Sequence, residues 1–174
     1  MYYVGSPTGG YSSIFWFKTF PQRLWTPKLA VIGDLGAQNA ISLPYLQNKI
    51  HENQLDVLIH AGDFAYDLRD FQGFQGDRFM EEIESVAAYV PYITCPGNHE
   101  HPNEYNEYRN RFLMPYNNEG NPLDLHYSFV IGPIHFVSLN TEVYYKHGGN
   151  TDLLTQMYQW LVTDLEQANK YEKF

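Results

Sequence analysis

The sequence predicts an α/β fold built on a parallel sheet, and three observations carry that prediction. Three short apolar runs, Leu29–Ile32, Val57–Ile59 and Tyr92–Thr94, read as buried strands. Between them, apolar residues recur at helical rather than alternating spacing. The runs return at intervals of about 30 residues, the length of a right-handed strand–helix–strand crossover, which makes neighbouring strands parallel.

Residues 1–27 read differently. Tyr2–Val4, a Gly9-Gly10 turn and the aromatic alternation Ile14 to Phe20 predict a β-hairpin with one apolar face. A lone hairpin is marginal in water, so this one is expected to belong to a larger β-sheet or to dock on the rest. Pro21 and Pro27 bracket a linker, dividing the chain into residues 1–27 and 28–174. After the first strand, Ile41, Leu43, Leu46 and Ile50 predict a helix ending near Asn53. Phe79, Met80, Ile83, Val86, Ala87 and Val90 predict the second helix, and Glu104 to Arg111 a short third one. His126–Ile131 and Ile134–Leu139 predict a hairpin about Gly132-Pro133. The last helix, Asp152 to Ala168, is expected to turn Leu153, Met157, Trp160, Leu161, Leu165 and Ala168 inward.

Composition narrows the function classes. The chain has 174 residues, 44% hydrophobic and 18% charged, enough for a proper core and unlike a disordered segment. Its formal charge of −9 repels a nucleic-acid backbone or an anionic membrane, so neither partner is expected. The single cysteine, Cys95, closes no intrachain disulfide and reads as a small buried apolar residue. Met1 to Gly5 lack the basic and apolar regions of a signal peptide.

Each predicted strand ends in a glycine beside a side chain able to bind metal: Gly33-Asp34, Gly62-Asp63 and Gly97-Asn98-His99. In a parallel sheet all three lie at the carboxyl edge, where open α/β folds place their sites. Asp34, Asp63 and the Asn98 amide are hard oxygen donors that suit Fe, Mn, Zn or Mg. Tyr66 stands three residues beyond Asp63, close enough to return its phenol to the same centre, and a phenolate suits a strongly Lewis-acidic ion such as ferric iron. His99 is a candidate hydrogen-bond donor or proton shuttle, and Asp63 on the central strand a candidate bridge between two ions.

These blocks carry a family resemblance. Asp34-Leu35-Gly36, Gly62-Asp63-Phe64-Ala65-Tyr66 and Gly97-Asn98-His99-Glu100 resemble three signature blocks of the purple acid phosphatases, within the calcineurin-like metallophosphoesterases. The resemblance implies a metallophosphoesterase-type β-sandwich flanked by helices, preceded by a hairpin remnant of an N-terminal β-sandwich domain. It implies Asp34 as ligand of a ferric ion, Fe(3+), Asp63 as bridging ligand, Tyr66 as the phenolate that gives the purple colour, and Asn98 as ligand of a divalent Zn, Fe or Mn ion. His99 would contact the phosphoryl group or the leaving oxygen. The implied reaction is hydrolysis of a small phosphate monoester or a phosphoprotein, with a metal-bound hydroxide attacking phosphorus in line. Two further blocks with three histidine ligands are absent here, so the chain is expected to be a fragment cut at both ends. Secretion or a lysosomal location follows from the family alone.

Two alternatives stand beside the acid phosphatase. One is a catalytically inactive fragment acting as a binding partner of a full-length phosphatase; the other is a nuclease or phosphodiesterase of the same superfamily, whose members generally lack a phenol at the position of Tyr66. Among the other histidines, His60 reads as a core residue or a partner orienting a ligand, and His101, His126, His135 and His147 as structural or surface residues. Tyr105, Tyr108, Tyr116, Tyr144 and Tyr145 are candidates for a substrate groove or for loop packing, and Glu81, Glu82 and Glu84 for a solvated helix face.

Overall fold

Aliphatic runs too short to be helices, each closed by a glycine, pair at the centre of the molecule. The structure is a computed structural model and describes residues 1–115, 125–145 and 151–171. A two-residue ladder joins β1 (Gly5–Ser6) to β2 (Gly10–Tyr11), and an isolated bridge links Tyr2 to Phe15. Then follow β3 (Leu29–Ile32), α1 (Leu43–His51), β4 (Val57–Ala61), α2 (Phe74–Ala87), β5 (Tyr92–Cys95) and α3 (Pro102–Arg111). An antiparallel hairpin, β6 (Tyr127–Ile131) with β7 (Ile134–Ser138), precedes α4 (Thr151–Tyr171).

Strands β3, β4 and β5 form one parallel sheet in that order. Ile32 lies opposite His60 and His60 opposite Thr94, so the three strands end level and their loops leave from one edge. Central β4 is the most buried strand, with Val57, Leu58 and His60 inaccessible to solvent. On α1 and α2 the spacing that made the helices legible also seats them: Leu43, Leu46 and Ile50 meet Val86 and Val90 over Leu55 and Leu58. A second cluster under the carboxyl edge gathers Phe64, Phe79, Ile83, Tyr105, Tyr108 and Phe112, with the Phe64 and Phe112 rings stacked at 4.7 Å. The hydroxyls of Tyr108 and Tyr127 donate to the Thr94 carbonyl at 3.1 and 2.6 Å, pinning α3 and β6 to β5.

Three expectations change. The aromatic run from Ile14 to Phe20 makes one bridge, at Phe15, and residues 16–20 are not strand. These side chains dock instead of alternating: Trp16 packs on Tyr89 at 5.3 Å, Phe20 on Trp25 at 5.4 Å, and the Tyr2 hydroxyl donates to the Ala88 carbonyl at 2.8 Å. Ile41 precedes the Ser42 N-cap of α1 and is 91% exposed. On α4 the inward stripe runs through Leu153, Met157 and Ala168, while Leu165 is 48% exposed. Asp164 takes the inward place beside it, accepting a hydrogen bond from Ser128 Oγ and lying 2.7 Å from His135 Nε2.

Phe79 is fully buried against Phe64 and close to His60. Phe79→Ala is expected to lower stability by about 3–5 kcal/mol in urea denaturation. A loss below about 1 kcal/mol, the range of surface changes, would show that this ring does not organise the core.

Candidate metal centre

Each strand of the sheet runs into a loop that must turn sharply to bring a side chain back over the edge. Asp34, Asp63, Tyr66 and Asp67 have φ angles of 52°, 54°, 53° and 68°, in the left-handed region that non-glycine residues seldom adopt. Aspartate tolerates this region better than most residues, whereas a tyrosine there needs outside support, because such conformations cost of order 1–3 kcal/mol each. The loops support one another. Asp34 N–H donates to the Gly62 carbonyl at 3.2 Å, and Gly36 N–H to the Phe64 carbonyl at 2.8 Å.

The strongest tie between the second and third loops is Glu100, 2% exposed. Its carboxylate accepts from the backbone N–H groups of Asp63 (2.8 Å), Phe64 (3.1 Å) and Gly97 (2.9 Å). The approach requires glycine on both sides. A Cβ on Gly62, where φ is +74°, would lie 2.6 Å from Gly97 Cα, and one on Gly97 would collide with the Asp63 carboxylate. Burial pushes the Glu100 carboxyl above its ordinary range, against the pull of the three N–H donors.

At the tip of this scaffold, the Tyr66 hydroxyl donates to Asp34 Oδ1 at 2.8 Å, joining the first loop to the second. His99 N–H donates to Asp63 Oδ1 at 3.1 Å, joining the third. The rings of Tyr66 and His99 meet edge to face at 5.0 Å, and Asp67 Oδ1 stands 3.6 Å from His99 Nδ1. Asn98 sits exposed between Gly97 and His99. The five residues singled out from the sequence thus lie on three adjoining loops at one edge.

Among the described residues, no three His, Cys, Asp or Glu side chains gather as a metal-binding group. The donors here are two carboxylates, a phenol and an amide. That set fits a hard, Lewis-acidic ion: the Tyr66 and Asp34 oxygens are 2.8 Å apart. Neighbouring ligands on an octahedral ion with bonds of about 2.0–2.1 Å are spaced by about 2.9 Å. The hydrogen bond to Asp34 raises the Tyr66 phenol pKa, helped by partial desolvation and by the charges of Asp34 and Asp63. An ion seated between these oxygens therefore has to displace the phenolic proton.

His60 lies beneath the edge as expected, with Nδ1 2.6 Å from the Tyr92 hydroxyl and its ring 4.4 Å from that of Phe64. Burial lowers its pKa from 6.5 to about 4, opposed by the negative charge of Asp34. The other tyrosine and histidine candidates differ in burial. Tyr105 and Tyr108 are fully buried core, Tyr144 and Tyr145 are exposed, and Tyr116 and His147 lie outside the described residues. His126 packs on Trp160 at 4.4 Å, and His101 lies edge-on to Tyr105 at 5.3 Å. Glu81 and Glu84 are solvated, but Glu82 is half-buried and accepts from Arg78 Nε at 3.0 Å. Two residues escaped sequence reasoning. Glu100 closes the Gly97-Asn98-His99 block but had no role there, and Asp67 becomes meaningful only once His99 is seen beside it.

Residues 27–173 match the calcineurin-like phosphoesterase family. The chain is 45% identical over 174 residues to acid phosphatase type 7 of Danio rerio, covering 99% of this chain and 38% of that protein. To the Homo sapiens protein of the same name it is 43% identical over 171 residues, covering 98% and 38% respectively. It is 30% identical to probable purple acid phosphatase 20 of Arabidopsis thaliana, covering 93% of this chain and 38% of that one. The chain thus spans about 38% of the length of these relatives. Its fold is similar to that of a purple acid phosphatase from yellow lupin (Lupinus luteus) seeds, with a TM-score of 0.69 at 22% identity over 92% of this chain and 32% of that one.

Two outcomes follow from the buried carboxyl and the buried imidazole. Glu100→Ala leaves three backbone N–H groups without their acceptor and is expected to lower the urea-denaturation stability by about 3–5 kcal/mol; a loss under about 1 kcal/mol would show that the loops do not depend on it. His60 is held neutral, so its contribution is present above pH 6.5 and lost as pH falls towards about 4. Over that interval the folded chain should lose about 3 kcal/mol more than a His60→Gln variant. Equal losses in the two proteins, compared by urea titration at both pH values, would rule the imidazole out as the source.

Proposed function

Because this chain belongs to the calcineurin-like phosphoesterase family, we propose that it carries the three-loop half of a binuclear acid phosphatase centre that hydrolyses phosphate monoesters. The observation that carries this assignment is the Tyr66 hydroxyl 2.8 Å from Asp34 Oδ1. A phenol at that place favours a ferric phosphatase centre over the nuclease or phosphodiesterase alternative. Asp34 and Tyr66 would hold the ferric ion, Asp63 would bridge, and Asn98 would hold the divalent Zn, Fe or Mn ion. When bound, these ions supply Lewis acidity towards the phosphoryl group and an activated water.

The chain's own residues orient the reaction. Glu100 holds the Asp63 and Gly97 loops in register, and the His99 N–H keeps the Asp63 carboxylate turned towards the third loop. Asp67, at ion-pair distance from His99 Nδ1, steadies the imidazole that hydrogen-bonds the phosphoryl group or protonates the leaving oxygen. In this assignment residues 28–174 carry the phosphoesterase chemistry, and residues 1–27 belong to a separate β unit docked on them. No described helix is long and apolar enough to cross a membrane, and a secreted or lysosomal location is the one that the family resemblance implies.

Iron and zinc uptake, measured as metal content and protons released, together with turnover of an aryl phosphate, tests the assignment. Asp63→Asn is expected to reduce turnover at least about a hundredfold. Tyr66→Phe should abolish a visible charge-transfer band and release one proton fewer per chain on iron uptake. Because the phenol holds its proton firmly, iron affinity should fall as pH falls. Unchanged proton release in Tyr66→Phe would remove that residue from the ligand set.

A further inference from the structure

The edge of the sheet opposite the metal loops holds a cavity that the phosphatase assignment does not use. Lys28 precedes β3, Asp56 precedes β4 and Pro91 precedes β5, so these residues mark the amino edge. Strands of four or five residues at ~3.3 Å each put this edge roughly 13 Å or more from the carboxyl edge. The cavity has a volume of about 330 Å³, within the range of small-molecule pockets.

Four aromatic side chains stand in its walls, for a reason visible in the fold. Residues 16–20 dock by their rings rather than as a strand, so Trp16, Phe20 and Trp25 from the N-terminal segment and Tyr89 from the turn before β5 surround one space. Its lip is cationic. Lys18 Nζ donates to Asn53 Oδ1, and Lys28 Nζ donates to the Asn53 carbonyl at 3.0 Å. Both ammonium groups rest on neutral oxygens, and among the described residues neither forms an ion pair with a carboxylate. The one carboxylate lining the space, Asp56, accepts the backbone N–H of Lys28 at 2.8 Å.

Lys18 and Lys28, meeting at the two oxygens of Asn53, thus bring two positive charges to one lip of the cavity. Sharing the cavity with Trp16, Phe20, Trp25 and Tyr89, they complement a flat ring bearing a negative group. We propose that this cavity is a second binding site, separate from the metal loops, for a small aromatic anion such as an aryl carboxylate or sulfonate. The ring stacks among Trp16, Trp25 and Tyr89, and the anionic group takes the place of the Asn53 oxygens at the lysines.

Of the three tryptophans, Trp16 and Trp25 line the cavity while Trp160 packs on His126. Tryptophan fluorescence, with calorimetry as a second readout, therefore reports on binding directly. The probes are 1-naphthalenesulfonate, neutral 1-naphthalenemethanol and cationic 1-naphthylmethylammonium, titrated into the unaltered chain. Saturable binding of the sulfonate is expected, about tenfold tighter than that of the other two. The double variant Lys18→Gln/Lys28→Gln should weaken it about tenfold, the corresponding arginine pair should restore it, and Asp63→Asn and Trp160→Phe should leave it unchanged. Equal affinity for the three probes, no saturation, or binding lost in Asp63→Asn but kept in the lysine variant would each overturn the proposal.

Discussion

One carboxylate receiving three backbone N–H groups holds the candidate centre together. Glu100 accepts from Asp63, Phe64 and Gly97, so two loops that leave neighbouring strands cannot move apart without stranding buried polar groups. The consequences spread outward. The loops approach so closely that Gly62 and Gly97 have no room for a Cβ, and that proximity lets His99 N–H reach the Asp63 carboxylate. The first loop joins through Tyr66 and Asp34, completing a ring of contacts over the three strand ends.

This arrangement is strained and electrostatically unfavourable by itself, and the packing beneath it supplies the support. Left-handed conformations at Asp34, Asp63, Tyr66 and Asp67 are held by the loop hydrogen bonds above and by the fully buried Phe64 and Phe79 below. Burial has an electrostatic side as well: it keeps His60 uncharged and favours the protonated form of Glu100. The dry floor thus concentrates charge at the solvent-facing tips, where Asp34, Asp63 and Tyr66 gather oxygen donors. A cation seated at that point, as proposed, would relieve their repulsion and take the place of the phenolic proton.

Much of this was legible in the order of residues because it depended on local physics. Strand runs closed by glycine, and helices with apolar residues three and four apart, follow from backbone geometry and burial, and both appear where the pattern puts them. Legibility failed where a partner distant in sequence decided the outcome. The run from Ile14 to Phe20 alternates like a strand, yet its rings find Tyr89 and Trp25. Leu165 has the spacing of an inward residue, but Ser128 and His135 draw Asp164 inward beside it.

The sequence by itself determined that three glycine-closed strands would end at one edge bearing Asp34, Asp63 with Tyr66, and Asn98 with His99, because parallel crossovers leave no other place for them. It likewise determined the family, since those blocks are contiguous. Only the tertiary structure decided what holds and orients the blocks. Glu100 spanning two loops, Asp67 facing His99, and two lysines resting on one asparagine at the far edge all join residues well apart along the chain. Hydrogen bonds and ion pairs act over about 3–4 Å, so their partners are set by how the strands and loops pack rather than by any spacing in the chain.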